Sequence, residues 1–368
     1  MSAVRRAPWA VAVPAVGALT LILTWGRELP VALVAVVAVV LVAAVLAAVY
    51  HAEVVALRVG EPMGSLILAV AVTVIEVALV VTLMVSGGDQ AQTLARDTVF
   101  AAVMITMNGI VGLSLLVGSL RYGVALFNAE GTGAAVATVA SLATLTLVVP
   151  TFTSGAPGPQ FTASQLTFAA MASLVLYALF VVTQTGRHRD FFLPVGVEGT
   201  DAGPPHEQSD DHAEPPTTRA AWTSLGLLLI ALVAVIGLAK VESPALEAGV
   251  AAVGFPASFV GVVIALVVLL PETIAAVQAA SRNRVQISLN LGFGSAMASI
   301  GLTIPAIAVA SIWLDGTLFL GLGPTQLVLL AMTVVVTILT VVPGRATRLH
   351  GGVHLVLLAA FLFLSVNP

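Results

Sequence analysis

Long apolar runs separated by short polar stretches recur along the whole chain. Several of these runs reach about 18 residues, the length that a helix needs to cross a bilayer. The pattern predicts eleven transmembrane helices, at residues 8–25, 31–50, 64–86, 98–119, 134–151, 165–184, 221–239, 256–279, 286–311, 325–342 and 353–367. The pattern therefore predicts an all-α polytopic membrane protein, with the lipid bilayer as its first partner.

Arginine and lysine are unevenly distributed among the loops that these helices would create. With the N-terminus inside, three cations are external, namely Arg27, Arg96 and Lys240. The eleven cytoplasmic cations would be Arg5, Arg6, Arg58, Arg121, Arg187, Arg189, Arg219, Arg282, Arg284, Arg345 and Arg348. Because short cytoplasmic loops collect Lys and Arg, we predict a cytoplasmic N-terminus and an external C-terminus in a bacterial inner (plasma) membrane.

One long hydrophilic segment, residues 187–219, divides the chain. It is rich in proline, glycine and acidic residues, and has too little apolar surface to pack a core. Since the five helices on each side are an odd number, the second group would enter the membrane in the opposite sense, as in inverted-repeat transporters. We predict an extra N-terminal helix at 1–29, five-helix repeats at 30–186 and 220–368, and an acidic cytoplasmic linker at 187–219.

The composition excludes several classes of chemistry. Cysteine is absent, so disulfides, thiolate metal sites and cysteine nucleophiles are excluded. The net charge of −4 reflects mainly one loop and gives no reason to expect a nucleic-acid partner. Neither an HExxH nor a GxSxG motif occurs. We therefore expect neither an enzyme nor a bound cofactor.

Two carboxylates interrupt the predicted membrane helices. Glu76 lies in "LILAVAVTVIEVALVVTLM" and Glu272 in "VVIALVVLLPETIAAV", each in the second helix of its repeat. A charge at a helix centre costs about 2.5–3.5 kcal/mol on insertion scales, so it persists where it faces a cavity, a partner or an ion. Pro271 also removes the backbone bond to the carbonyl of Val267, leaving an oxygen of the kind that hard cations bind. Together these residues predict a shared ion site; two neutral, hydrogen-bonded glutamates are the alternative.

A polar, glycine-rich helix follows each acidic helix: "ITMNGIVGLSLLVGSL" (105–120) and "SLNLGFGSAMASIGLTIP" (288–305). Small residues permit close helix contact and supply weak oxygen ligands. The further candidates to line the site are Asn108, Asn290, Ser295 and Thr73. Each could instead make an interhelical hydrogen bond without contacting an ion. We interpret His354, in the last predicted helix, as hydrogen-bonded packing rather than as a proton relay.

These motifs carry a resemblance to a known family. The stretch "PETIAAVQAASRNRVQISLNLGFGSAMASIGLTIP" (271–305), with "GEPMGSLILAVAVTVIEVALVV" (60–81) and "MNGIVGL" (107–113), resembles the ChaA-type calcium/proton antiporters of the cation/calcium exchanger superfamily. The resemblance implies exchange of Ca2+, with Na+ or K+ as further cargo, for H+. It also implies one essential, cation-binding glutamate per repeat, at Glu76 and Glu272. By this interpretation the two acids alternately hold a dehydrated cation and protons while one repeat rocks against the other.

The chain departs from the calcium/proton exchangers of fungi and plants. It has "LLPE" where they have Gly-Asn before the second acid region, and Asn290 where they have a further acid. Fewer carboxylates favour Na+/H+ or K+/H+ exchange with little Ca2+ activity as the alternative function. An uncoupled cation channel is less favoured, because channels more commonly use a symmetric ring of acids.

Overall fold

The computed structural model describes residues 8–27, 29–60, 63–86, 91–186, 188–195, 216–313 and 316–368. Nearly all of these residues are helical, as the apolar runs predict. Most of the acidic linker, residues 196–215, lies outside the described residues, and so do Arg5, Arg6 and Arg187.

The elements follow one another as a series of helices with one short strand pair. The helices are α1 (Pro8–Thr24), α2 (Val31–Val59), α3 (Met63–Ser86), α4 (Ala91–Met104), α5 (Val111–Tyr122), α6 (Ala129–Ala143), α7 (Val149–Phe152), α8 (Ala163–Thr185), α9 (Thr218–Ala252), α10 (Phe259–Val268), α11 (Leu270–Ser281), α12 (Val285–Ala310), α13 (Pro324–Val341) and α14 (Arg348–Val366). Two π-helical segments, Ile105–Ile110 and Thr144–Val148, join α4 to α5 and α6 to α7. Strands β1 (Ala125–Leu126) and β2 (Arg345–Ala346) pair antiparallel.

The predicted membrane spans each overlap an apolar helix of the structure. Within the described residues, eight helical segments are long and apolar enough to cross a membrane, and the bent pair α10–α11 would make a ninth. Two shorter apolar helices, Pro8–Thr24 and Val70–Thr82, coincide with the remaining predicted spans. The all-α polytopic fold is thus confirmed, while the number of crossings stays a prediction.

The described chain forms two compact units, and the first comprises Met1–Ala71 with Val195–Leu238. Here α1 packs against α2, and the His51 ring donates a hydrogen bond from Nε2 to the carbonyl of Ala10 (2.8 Å). Gly17 lies directly against Ala44 and Ala234. Small residues at such contacts let membrane helices approach closely.

The second unit comprises Val72–Pro194 with Ala239–Pro368 and contains every predicted site residue. Its central element is α12, which packs against α6, α8, α11 and the Ile105–Ile110 segment. Because α12 contacts neighbours on several sides, most of its residues are buried. Outside it, α10 packs on α4 and α14 on α5.

The loops of the second unit fall into two groups at opposite helix ends. At one end β1 pairs with β2, and Arg121 Nη1 donates to the carbonyl of Ser281 (3.0 Å). At the other end the amide of Gly321 donates to the carbonyl of Pro159 (2.9 Å). Helices that cross a membrane in alternating directions place their successive loops at opposite ends in this way. Which end is cytoplasmic stays a prediction.

The first described residues of the predicted linker are packed. Arg189–Phe192 forms a short 3-10 helix, and the Phe192 side chain is buried against Phe180, with ring centroids 5.5 Å apart. The adjacent phenylalanines at 191–192 supply local apolar surface. The polar composition of 187–219 as a whole gives no indication of it. The end of the predicted linker also differs, because α9 already begins at Thr218.

Candidate cation-binding site

Glu76 is buried in α3, with 3% of its surface exposed. Its Oε2 accepts a hydrogen bond from the Ser299 hydroxyl of α12 (2.8 Å). Its Oε1 is equally buried but has no hydrogen-bond partner among the described residues. An unsatisfied buried polar group costs about 1–3 kcal/mol, and more if it is charged. Glu76 therefore has one buried oxygen whose hydrogen-bonding capacity is unused among the described residues.

Hydroxyl groups from one face of α12 line this carboxylate. Ser299 and Thr303 are four residues apart, so they share a helix face, and the buried Thr303 hydroxyl also faces Glu76. The Thr303 Oγ1 makes no hydrogen bond within the described part of the chain. The predicted candidate Ser295 lies one turn before Ser299 on the same face and is half-buried. Thr73 is buried three residues before Glu76 in α3.

Glu272 lies at a break between two helices. Leu269, at φ −86° and ψ 0°, separates α10 from α11, and the two helices are bent by 52°. Pro271 occupies the first turn of α11, where its missing N–H and fixed φ are tolerated. The carbonyl of Val267 consequently lacks the N–H donor that a continuous helix would supply. Glu272 follows directly and is half-buried.

The positions of the two glutamates can be compared along helix α12. The Ser288 hydroxyl donates to the carbonyl of Ala276 in α11 (2.7 Å), and the two helices form an antiparallel hairpin. Glu272 lies one turn before Ala276 in α11, and Gly292 lies one turn after Ser288 in α12. Because the two helices are antiparallel, Glu272 and Gly292 lie at the same height along the α12 axis. That level is about 10 Å along the axis from Ser299, the partner of Glu76. Both acids therefore lie along one stretch of α12, and the level of Ser295 falls between them.

Asn108 belongs to a buried hydrogen-bond network. Its Nδ2 donates to the Thr333 hydroxyl of α13 (2.9 Å), and its Oδ1 lies 3.2 Å from His354 Nδ1 of α14. The other ring nitrogen of His354 lies 3.3 Å from Thr340 Oγ1. Since the Asn108 oxygen can only accept, His354 donates from Nδ1. These contacts tie Asn108, in the π-helical segment Ile105–Ile110, to α13 and α14.

Asn290 makes its described contacts near the linker. Its Nδ2 donates to the carbonyl of Phe192 (2.7 Å), and its Oδ1 accepts from Gln286 Nε2 (2.9 Å). It lies about 14 Å along α12 from Ser299, as nine residues of α-helix require. The structure thus brings Glu76, Ser299 and Thr303 together, whereas Asn108 and Asn290 hydrogen-bond elsewhere.

Sequence reasoning missed Ser299 and Thr303. Both lie in the quoted stretch 288–305, where the interval of four residues from Ser295 to Ser299 to Thr303 marks one helix face. That spacing was the available signal. Within the described ranges, no group of three or more His, Cys, Asp or Glu side chains could hold a metal ion. The side-chain donors around Glu76 are neutral hydroxyls.

The matched family provides the identification. The family described as sodium/calcium exchanger protein matches residues 29–186 and 223–367. The chain belongs to the sodium/calcium exchanger family. Membership confirms the resemblance to the cation/calcium exchanger superfamily, a group of membrane transporters rather than of enzymes. The two matched ranges correspond closely to the predicted repeats and omit the predicted N-terminal helix and linker.

Individual relatives of this exchanger cover nearly its whole length. It is 44% identical over 367 residues to the protein y4hA of Sinorhizobium fredii, covering 98% of this chain and 96% of that one. It is 32% identical over 349 residues to the sodium-potassium/proton antiporter ChaA of Escherichia coli, covering 94% and 93%. Its fold matches the solved structure of YfkE with a TM-score of 0.72 over 98% of this chain and 100% of that one, at 18% identity.

Proposed function

We propose that the protein is a secondary active antiporter that exchanges an inorganic cation for protons across the bacterial inner membrane. The observation that carries the proposal is the buried Glu76 carboxylate, which has one oxygen hydrogen-bonded to Ser299 and the other unpartnered among the described residues. The E. coli relative, named as a sodium-potassium/proton antiporter, supports the same reaction class.

Competition at Glu76 would couple the two ions. When Oε1 carries a proton, it can donate to the Thr303 hydroxyl while Ser299 continues to donate to Oε2. When the proton leaves, the same Oε1 and the Thr303 oxygen become two ligands for a dehydrated cation. Because one oxygen serves both ions, a proton and a cation exclude each other there, as obligatory exchange requires.

Glu272 would complete the site from the second repeat. Its position beside the α10–α11 break offers a carboxylate and the carbonyl of Val267 at one place. We propose that the cation binds along the α12 face between the levels of Gly292 and Ser299. Rocking of one repeat against the other would then expose this stretch to each side in turn.

The ligands of the proposed site are compatible with two kinds of transported cation. Ca2+ is the first, because its two charges match the two carboxylates and the family is described as sodium/calcium exchangers. Na+ or K+ is the second, because Ser299 and Thr303 are neutral and Ca2+ ordinarily takes six to eight oxygens, several from carboxylates. The name of the E. coli relative favours this second cargo.

Dye-monitored proton flux in proteoliposomes tests the function. Ca2+, Na+ and K+ are added separately to vesicles that hold a preformed pH gradient and a trapped pH dye. We expect proton movement that depends on at least one cation, and the effective cation identifies the cargo. No response to any of the three would refute the antiporter, and cation flux without proton movement would establish the channel.

A further inference from the structure

A second polar site lies away from Glu76, at the end of the second unit that carries the Pro159 and Gly321 loops. It is a cavity of about 260 Å³, which we call the outer cavity. Its wall includes Arg96, Asp97, Gln326, Phe100, Leu329 and Phe361. The predicted orientation makes this end external.

Asp97 is the acidic group of the outer cavity and is only 4% exposed. Arg96 Nε donates to its Oδ1 (2.8 Å), and Arg96 Nη2 forms an ion pair with the same oxygen at 2.8 Å. Gln326 Nε2 lies 3.5 Å from the same Oδ1. The other oxygen, Oδ2, is buried with no hydrogen-bond partner among the residues that the structure describes.

This geometry differs from that of a structural ion pair. In the strong form of an Arg–carboxylate pair, two parallel bonds engage both oxygens of the carboxylate. Here Arg96 Nε and Nη2 both lie against Oδ1, while Arg96 Nη1 donates to the carbonyl of Gly321 (3.3 Å). Arg96 therefore neutralises Asp97 without using Oδ2. A buried carboxylate oxygen left in this way can still serve as an oxygen ligand for a hard cation.

The surroundings of Asp97 supply further oxygens. Ser258, Thr325 and Ser365 line the cavity with hydroxyl groups, the donors that accompany carboxylates around hard cations. The neighbouring Thr98 hydroxyl is buried and unpartnered within the described ranges. It lies against Gly261 of α10, where an added Cβ would stand 2.8 Å from the Thr98 amide nitrogen. The cavity wall thus contacts the helix that ends at the break before Glu272.

We propose that the outer cavity is a second cation-binding site, where Asp97 Oδ2 and the neighbouring hydroxyls hold a hard inorganic cation beside Arg96. The proposal rests on the proposed function only for its occupant, which would be the transported Ca2+, Na+ or K+. Arg96 weakens this binding by repulsion, so the site loads and releases the cation readily. Rapid loading and release suits a binding site at the entrance of a transport path.

Cation binding to purified protein in detergent, measured with 45Ca2+ and 22Na+, tests the site. The background variant Glu76→Gln/Glu272→Gln removes the central carboxylates, so the remaining saturable binding reports the outer cavity. In that background we expect Asp97→Asn to weaken binding at least tenfold. Arg96→Gln should strengthen it about tenfold, because a unit positive charge near the ion is removed. Asp190→Asn, at an exposed acid, is the matched control and should change nothing.

The Arg96→Gln variant distinguishes a cation-binding site from a purely structural ion pair between Arg96 and Asp97. Tighter binding supports the site even if Asp97→Asn fails to give monodisperse protein, whereas unchanged or weaker binding overturns it. No saturable binding of either cation in the background variant also overturns it, while parental proton flux would leave the proposed antiport intact. Conversely, Asp97-dependent binding in a protein without proton flux would sustain the site and refute the antiport.

Discussion

Replacing Glu76 by glutamine should abolish cation-coupled proton flux. The amide keeps the size of the side chain, and it can accept from Ser299 and donate toward Thr303, so it imitates the protonated acid. It removes a full negative charge. At about 4 Å and an effective dielectric constant of about 20, one carboxylate attracts a monovalent cation by about 4 kcal/mol. Cation affinity should therefore fall by roughly a thousandfold.

The assay is proton flux in proteoliposomes with the effective cation, and folding is checked by monodispersity in detergent. Folding should survive, because neutralising a membrane-buried acid removes an insertion cost. Glu76→Asp should retain partial exchange, since it keeps the charge on a shorter side chain. Glu130→Gln, an exposed acid in the first turn of α6, is the matched control and should behave as the parent. Near-parental coupled flux in Glu76→Gln would refute the reasoning.

Four further predictions test the rest of the site. Glu272→Gln should also abolish coupled flux, and normal proton-coupled transport in this variant would exclude a two-carboxylate mechanism. Ser299→Ala should weaken cation affinity by roughly 10-fold to 150-fold in flux titrations, because a hydrogen bond to a charged group contributes about 1.5–3 kcal/mol; unchanged affinity would show that the bond to Glu76 is incidental. Pro271→Ala should lower flux in a well-folded protein, since it restores an N–H that can close the helix break, and full activity would contradict a role for the bend. Deleting 196–214 should leave flux within a few-fold of the parent, and abolished exchange in an inserted protein would make the linker part of the transport machinery.

The sequence was sufficient for the fold class because the bilayer imposes simple rules. Apolar runs of the required length can only be helices, so the predicted spans coincide with helices of the structure. The π-helical turn at Ile105–Ile110 follows no such rule. Its residue Asn108 contacts Thr333 and His354, which lie more than two hundred residues away in the chain. Local sequence carries no signal for partners so distant.

The site was predictable only where charge interrupts an apolar run. Glu76 and Glu272 are conspicuous for that reason, whereas Ser299 resembles the many serines and threonines that hydrogen-bond within their own helices. Only its hydrogen bond to Glu76 of α3 distinguishes it. Asp97 escaped notice because it adjoins Arg96 at the edge of a predicted span, where a charged pair is typical of a loop. Its burial depends on α10 and α13, which the sequence alone does not place beside it.

The hydrogen bond between Glu76 and Ser299 joins the acid of the predicted first repeat to a helix of the predicted second repeat. The rocking proposed above must therefore either break this bond or carry α3 and α12 together. Breaking it while the carboxylate is charged would cost about 1.5–3 kcal/mol, and less once a proton or cation has neutralised the charge. An empty, ionised site is therefore held in place more firmly than a loaded one. This difference opposes reorientation without cargo, which is the condition that keeps exchange coupled.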